Sequence, residues 1–208
     1  ELRMLAHYLA RYDGGRYARL LLEDDIHQIN ADKIGISRRQ VKTVTYAFLY
    51  GAGDEKIGHS YDPQLSTAAA KKKGKEIRAA YVDAVDGLDD LLKAIKQAAE
   101  RGFIKSIDGR KVNVDSPHKA LNYCLQSGAG VIAKRWMVIN QETMREAQIC
   151  ASQLGFIHDE LQFECAPEHV GDLSTSLVYS ATAAGEYYNM RIRIDAEATH
   201  GNNWSETH

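Results

Sequence analysis

Only three prolines, Pro63, Pro117 and Pro167, interrupt the 208 residues, so helical patterns can run far without meeting a residue that lacks a backbone donor. The apolar spacing reads as helices over residues 1–12 and 17–23, then over about 38–50, 67–81, 87–101, 116–148 and 167–187. Residues 103–114 carry Asp108-Gly109, the turn of a hairpin, and residues 155–165 alternate like a strand pair. Residues 191–198 alternate charged with apolar side chains as a half-buried strand does, and a loop over 201–204 leads to the end of the chain. The implied fold class is α+β, mostly helical with a small antiparallel sheet.

A hydrophobic share of 44% with 26% charged residues describes a chain able to build a sizeable core, as one large domain or two small ones. No apolar run approaches the roughly 20 residues of a membrane span and the start does not resemble a signal peptide, which points to a cytoplasmic or similar aqueous setting with no membrane partner. Cys124, Cys150 and Cys165 are too scattered for a zinc site, and an odd count without CxxC spacing suits buried thiols in a reducing compartment. The net charge of -2 does not decide for or against nucleic acid. Local charge says more: Lys33, Arg38, Arg39, Lys42 and Lys56 lead into Lys71, Lys72, Lys73, Lys75 and Arg78, whereas residues 83–100 are mainly acidic. A solvated helix face would give the same basic cluster, so a second feature has to decide.

Arg38, Lys42, Tyr46 and Tyr50 stand four apart, and on a helix they form a stripe sweeping about 120° while climbing about 18 Å. Val41, Val44 and Phe48 point roughly the other way, and Gly51 and Gly53 end the segment. Cations at one end of a face and aromatic rings at the other suit a nucleoside triphosphate, although a surface helix with half-buried tyrosines would look alike. In "LGFIHDELQFEC", His158, Asp159 and Glu160 lie between apolar stretches, where a tight hairpin would project carboxylates able to hold Mg²⁺ beside phosphates. Charged hairpin turns are often merely solvated, so the tripeptide alone does not settle that chemistry.

Taken together these segments resemble the C-terminal part of a family A DNA polymerase, nearest its bacteriophage replicative branch. Arg38, Lys42, Tyr46, Tyr50 and Gly51 are similar to the family's fingers motif RxxxKxxx(F/Y)xxxYG, and "HDE" to its palm hairpin. Further likenesses, in family order, are "ELR" at 1–3, "DIH" at 25–27, "DGRKV" at 108–112, "LNYCLQSGAG" at 121–130, and a closing "NW" followed by a terminal His. The resemblance divides the chain into palm-to-fingers helices over 1–30, a mostly helical fingers subdomain over 31–115, and the C-terminal part of a palm over 116–208 with its small antiparallel sheet. It implies template-directed DNA synthesis by a two-metal mechanism, with two Mg²⁺ ions in the complete enzyme and primer-template DNA and dNTPs as partners.

By that resemblance Arg38, Lys42 and His27 would bind the triphosphate, Lys42 also neutralising the departing pyrophosphate. Tyr46 would lie against the sugar and Tyr50 near the nascent base pair, with Glu1 excluding a ribose 2'-hydroxyl. Asn122 and Gln126 would touch the minor groove, and Arg110 and His118 the primer-template backbone. Asp159 would be a metal carboxylate, Glu160 its support, and His158 a neighbour of the primer terminus. In the family the other metal-binding aspartate stands five residues before the glutamate of "ELR", whereas this sequence opens at that glutamate. The expectation is a fragment inactive alone, whose missing palm strand, thumb and any exonuclease come from an upstream polypeptide. A single-subunit RNA polymerase shares the fingers pattern but not Glu1, Glu160 and the closing NW and His. A non-catalytic DNA-binding subunit with this fold is the other alternative.

Overall fold

The computed structural model describes residues 1–207, so the terminal histidine of the closing motif lies outside the described residues. The first compact unit, residues 1–128, opens with α1 (Leu2–Leu9), α2 (Arg16–Glu23) and α3 (Ile26–Ile34). It continues through α4 (Arg38–Leu49), α5 (Asp54–Tyr61), α6 (Thr67–Ala84) and α7 (Leu88–Ala99) to the hairpin β1 (Phe103–Lys105) and β2 (Lys111–Asn113). A 3₁₀ turn, Pro117–Lys119, leads into α8 (Ala120–Glu146), and the boundary between units falls at Gly128 within this helix. The second unit, residues 129–208, holds the rest of α8, the hairpin β3 (Ala151–Ile157) and β4 (Glu160–Cys165), and α9 (Val170–Tyr187). No described helix is long and apolar enough to cross a membrane.

The core of the first unit follows the sequence periodicity. Val44 meets Ile57 of α5 and Ile77 of α6, with Ile36, Ala47, Ala52 and Tyr61 around them. A second cluster joins Ala99, Ile104, Ala120 and Cys124, so the β1–β2 hairpin is clamped between α7 and the start of α8. α5 and α6 approach so closely that a Cβ on Gly58 would collide with the backbone of Ala70, and one on Gly74 with the carbonyl of Asp54. Glycine is therefore required at both positions by packing, since neither has an unusual φ.

In the second unit β3 and β4 pair antiparallel from Ala151↔Cys165 to Ile157↔Glu160, with a bulge between Gln153 and Gly155. Trp136 Nε1 donates to the Leu177 carbonyl at 2.8 Å and Ser176 Oγ to Asn140 Oδ1 at 2.8 Å, tying α8 to α9.

Four readings of the sequence need correction. Two helices lie where none was expected: α3, capped by Asp25 and ended by left-handed Gly35, and α5, capped by Gly53. Residues 191–198 form no strand among the described residues; Ile192 is buried, and Ile194 packs where a Cβ on Gly185 of α9 would stand. The end of the loop at 201–204 belongs to a 3₁₀ turn, Trp204–Glu206. The strand pair expected over 155–165 starts earlier, at Ala151.

Candidate functional site

α4 is held at both ends. Ser37 caps it in a reciprocal capping box with Gln40: the hydroxyl accepts from Gln40 N at 3.3 Å and the Gln40 amide oxygen from Ser37 N at 3.0 Å. At its C-terminus Ala52 N donates to Ala47 O and Gly51 N to Phe48 O, both at 2.9 Å, with Gly51 at φ +72°. This Schellman closure needs a residue free to be left-handed. Space does not demand glycine at 51, since a Cβ there would stand in ordinary contact, 3.5 Å from the His118 carbonyl; the positive φ does. Arg78 of α6 supports the same end: its Nε donates to Asp54 Oδ1 at 2.6 Å, another nitrogen donates to the Ala52 carbonyl, and the guanidinium lies 5.6 Å from the Phe48 ring centroid.

Between these anchors Val41, Val44, Thr45, Phe48 and Leu49 are buried. Arg38, Lys42 and Tyr50 are exposed and Tyr46 is half-buried, so the stripe read from the sequence faces outward. Its cationic end meets the start of α3. His27 is buried, its ring centroid 6.2 Å from that of Tyr46, and its Nδ1 has no hydrogen-bond partner. Burial pushes the imidazole below its ordinary value of 6.5; Arg38 and Lys42 push the same way and Asp25 opposes them. The two exposed cations beside this buried ring give an anionic ligand a place where positive charge is concentrated.

Arg38 is already engaged, its Nε donating to Asp25 Oδ2 at 2.6 Å. Lys42 makes no ion pair among the described residues, which leaves its ammonium available to an incoming charge. At the tyrosine end the Glu1 carboxylate accepts from the Gln126 amide. A hydrogen bond to Glu1 is the main cause of the raised pKa of the Tyr50 phenol. Glu1, Tyr50 and Gln126, to which the resemblance gives separate roles, thus lie together.

Asn122 stands one turn before Gln126 on α8 and is half-buried. His118 is exposed in the 3₁₀ turn, and Arg110, exposed at the β1–β2 turn, pairs with Asp108. In the second unit His158 and Asp159 form the two-residue turn between paired Ile157 and Glu160. His158 takes φ +56°, a left-handed conformation that histidine tolerates better than most residues. Both turn side chains are exposed, while Glu160 is half-buried and accepts from Gln162 Nε2. Two side chains at this site carried no motif of their own. Asp25 enters the sequence pattern only as part of "DIH", and Arg78 only as part of the basic cluster, although Asp25 pairs with Arg38 and Arg78 binds the end of α4.

The DNA polymerase family A model matches residues 1–206. The chain belongs to DNA polymerase family A. It is 36% identical to the DNA-directed DNA polymerase of Enterobacteria phage T3 and 34% identical to that of Escherichia phage T7, each match covering all of this chain and 32% of the relative. The chain thus spans about a third of the length of these curated relatives. The POL domain of Pol1 from M. smegmatis, solved in complex with DNA primer-template and dNTP, superposes with a TM-score of 0.80. It is 21% identical, and the likeness covers all of this chain and 39% of that one, which establishes the polymerase-domain fold.

Polymerases of family A use divalent metals. No group of three or more His, Cys, Asp or Glu side chains converges among the described residues of this chain, and Asp159 stands exposed at its turn.

Proposed function

We propose that this chain supplies the fingers and C-terminal palm of an enzyme that extends a DNA primer on a template, with residues 1–30 leading from palm to fingers, 31–115 forming the fingers and 116–208 the palm. The observation that carries the reading is the cationic end of α4, where exposed Arg38 and Lys42 flank buried His27. A dNTP triphosphate supplies the charge these groups lack. Tyr46, half-buried one turn along, would meet the sugar; Tyr50 would meet the nascent base pair, and Glu1 would exclude a 2'-hydroxyl. Asn122 and Gln126 would follow the minor groove and Arg110, His118 and His158 the primer-template strands. Lys42 would also hold the proton that the departing pyrophosphate takes up.

Asp159, backed by Glu160, would be this chain's single carboxylate toward the Mg²⁺ ions of the complete enzyme. Coverage of a third of the viral relatives supports the proposal that an upstream polypeptide contributes the partner carboxylate, a further palm strand, the thumb and any exonuclease. The outer edges of the two-stranded β3–β4 sheet are where such a strand would pair. The setting would be the cytoplasm, that of the host cell if a phage encodes the chain.

Primer extension tests the reading, with this chain alone, the upstream polypeptide alone, and both together. The expected result is Mg²⁺-dependent extension only in the mixture, using dNTPs and not rNTPs. Templated synthesis by this chain alone would overturn the division of the active centre between two segments.

A further inference from the structure

Resting on the reading of Arg38 as a triphosphate ligand, we propose that Asp25 is the positioning residue that presents this arginine to the nucleotide. The two oxygens of its carboxylate have separate tasks. Oδ1 accepts from the backbone N–H groups of His27 and Gln28, both at 3.1 Å, and so caps α3, while Oδ2 accepts from Arg38 Nε at 2.6 Å. The cap prevents the carboxylate from swinging away, because rotation would strip two amides at the helix start of their acceptor. The chain entering α4 is equally held, by the Ser37 capping box.

An arginine gripped through Nε keeps both Nη groups for another oxygen anion, and those groups form the fork that matches a phosphate. Asp25 therefore orients the guanidinium without using up its phosphate-binding edge. The contact with Arg38 is the main cause that holds the Asp25 carboxyl below its ordinary value of 3.8, so the anchor stays charged at neutral pH. The same Asp25 faces His27, whose imidazole it electrostatically supports against burial. One carboxylate thus links the helix start, the histidine and the arginine of a single anion site.

The alternative is that Asp25 competes with the triphosphate for Arg38, and the two ideas predict opposite signs. Asp25→Asn and Asp25→Ser both keep an oxygen able to cap α3, but neither offers Arg38 a carboxylate. In the complete enzyme, this chain together with its upstream polypeptide, each should raise KM for all four dNTPs alike with kcat unchanged. The pair is half exposed, so the rise should be modest, about three- to fivefold. Each substitution should lose most of its effect on KM when added to Arg38→Ala, the small remainder being the part carried through His27. A lowered or unchanged KM in Asp25→Asn and Asp25→Ser, or a full effect persisting in the Arg38→Ala background, would overturn the proposal while leaving Arg38 as a ligand. If Arg38→Ala itself leaves KM unaltered, the triphosphate reading falls and this inference with it.

Discussion

Gly74→Ala should destabilise the first unit, although alanine is the better helix former. Replacing glycine in a helix interior ordinarily gains about 1 kcal/mol. At Gly74 the new methyl would overlap the Asp54 carbonyl and lie 2.8 Å from Gly58 N. Both neighbours are backbone, so no rotamer change relieves the overlap; α5 and α6 must part by roughly 1 Å or more. A gap of that size forfeits about a quarter to a half of each dispersion contact it opens, and it falls where Ile57 and Ile77 are buried against Val44. Parting the helices also stretches the Arg78–Asp54 pair, which is two-thirds buried. Overpacking of this kind costs about 3 kcal/mol or more, leaving a net loss on the order of 2 kcal/mol and a fall in melting temperature of about 4–8 °C. Gly130→Ala provides the comparison: it sits within α8 with nothing within 4 Å of the added methyl, so it should gain up to about 1 kcal/mol. Urea unfolding followed by circular dichroism measures both. A Gly74→Ala chain as stable as the parent would refute the claim that backbone contact sets the α5–α6 spacing.

Three further outcomes are expected. Asp159→Ala in the reconstituted enzyme should abolish primer extension with DNA binding nearly intact, as a filter-binding assay beside the extension assay would show; activity within about tenfold of the parent would remove its metal assignment. Tyr46→Phe should raise discrimination against dideoxynucleotides by roughly tenfold or more, because on the proposed reading the phenol would stand in for a missing 3'-hydroxyl; equal use by parent and variant in chain-termination assays would take Tyr46 away from the sugar. Because burial lowers the folded-state pKa of His27, the unfolded chain binds the proton first. Its contribution to stability is complete above 6.5 and declines as pH falls from there to the lowered folded value, and unfolding curves of His27→Gln should lack that part of the slope.

What the sequence disclosed follows from how local each cause is. α4 was legible in full because its buried face, its outward stripe and its stop at Gly51 all lie within one stretch. α3 carried signals of its own, an Asp at the cap and a Gly at the end, but Asn30 and His27 are buried with its apolar residues and blur the stripe. α5 was hidden by Gly58, a poor helix former whose presence is explained only by the backbone of α6. The alternation over residues 191–198 marks Ile192 as inward, and it is buried, yet alternation reports that one side is covered and not by what; here Ile194 packs against Gly185 of helix α9. The Asp25–Arg38 and Arg78–Asp54 pairs join residues 13 and 24 positions apart on different helices, and no spacing rule reaches them.

The two ends of α4 explain why both caps of this helix are built so firmly. The cationic end must place Arg38 and Lys42 against His27, and the other end must place Tyr50 against Glu1 and Gln126. Those groups lie twelve residues apart, about 18 Å along the axis, so a small tilt or unwinding at either end would displace one set while leaving the other in place. The capping box at Ser37 and the Schellman closure at Gly51 prevent fraying, which otherwise removes the first and last turns of a short helix first. Arg78 adds a tether from α6, and α6 is itself held against α5 through Gly58 and Gly74. On the proposed reading, in which this face takes a ligand with a phosphate end and a base end, rigid spacing along one helix keeps both sets of contacts in register.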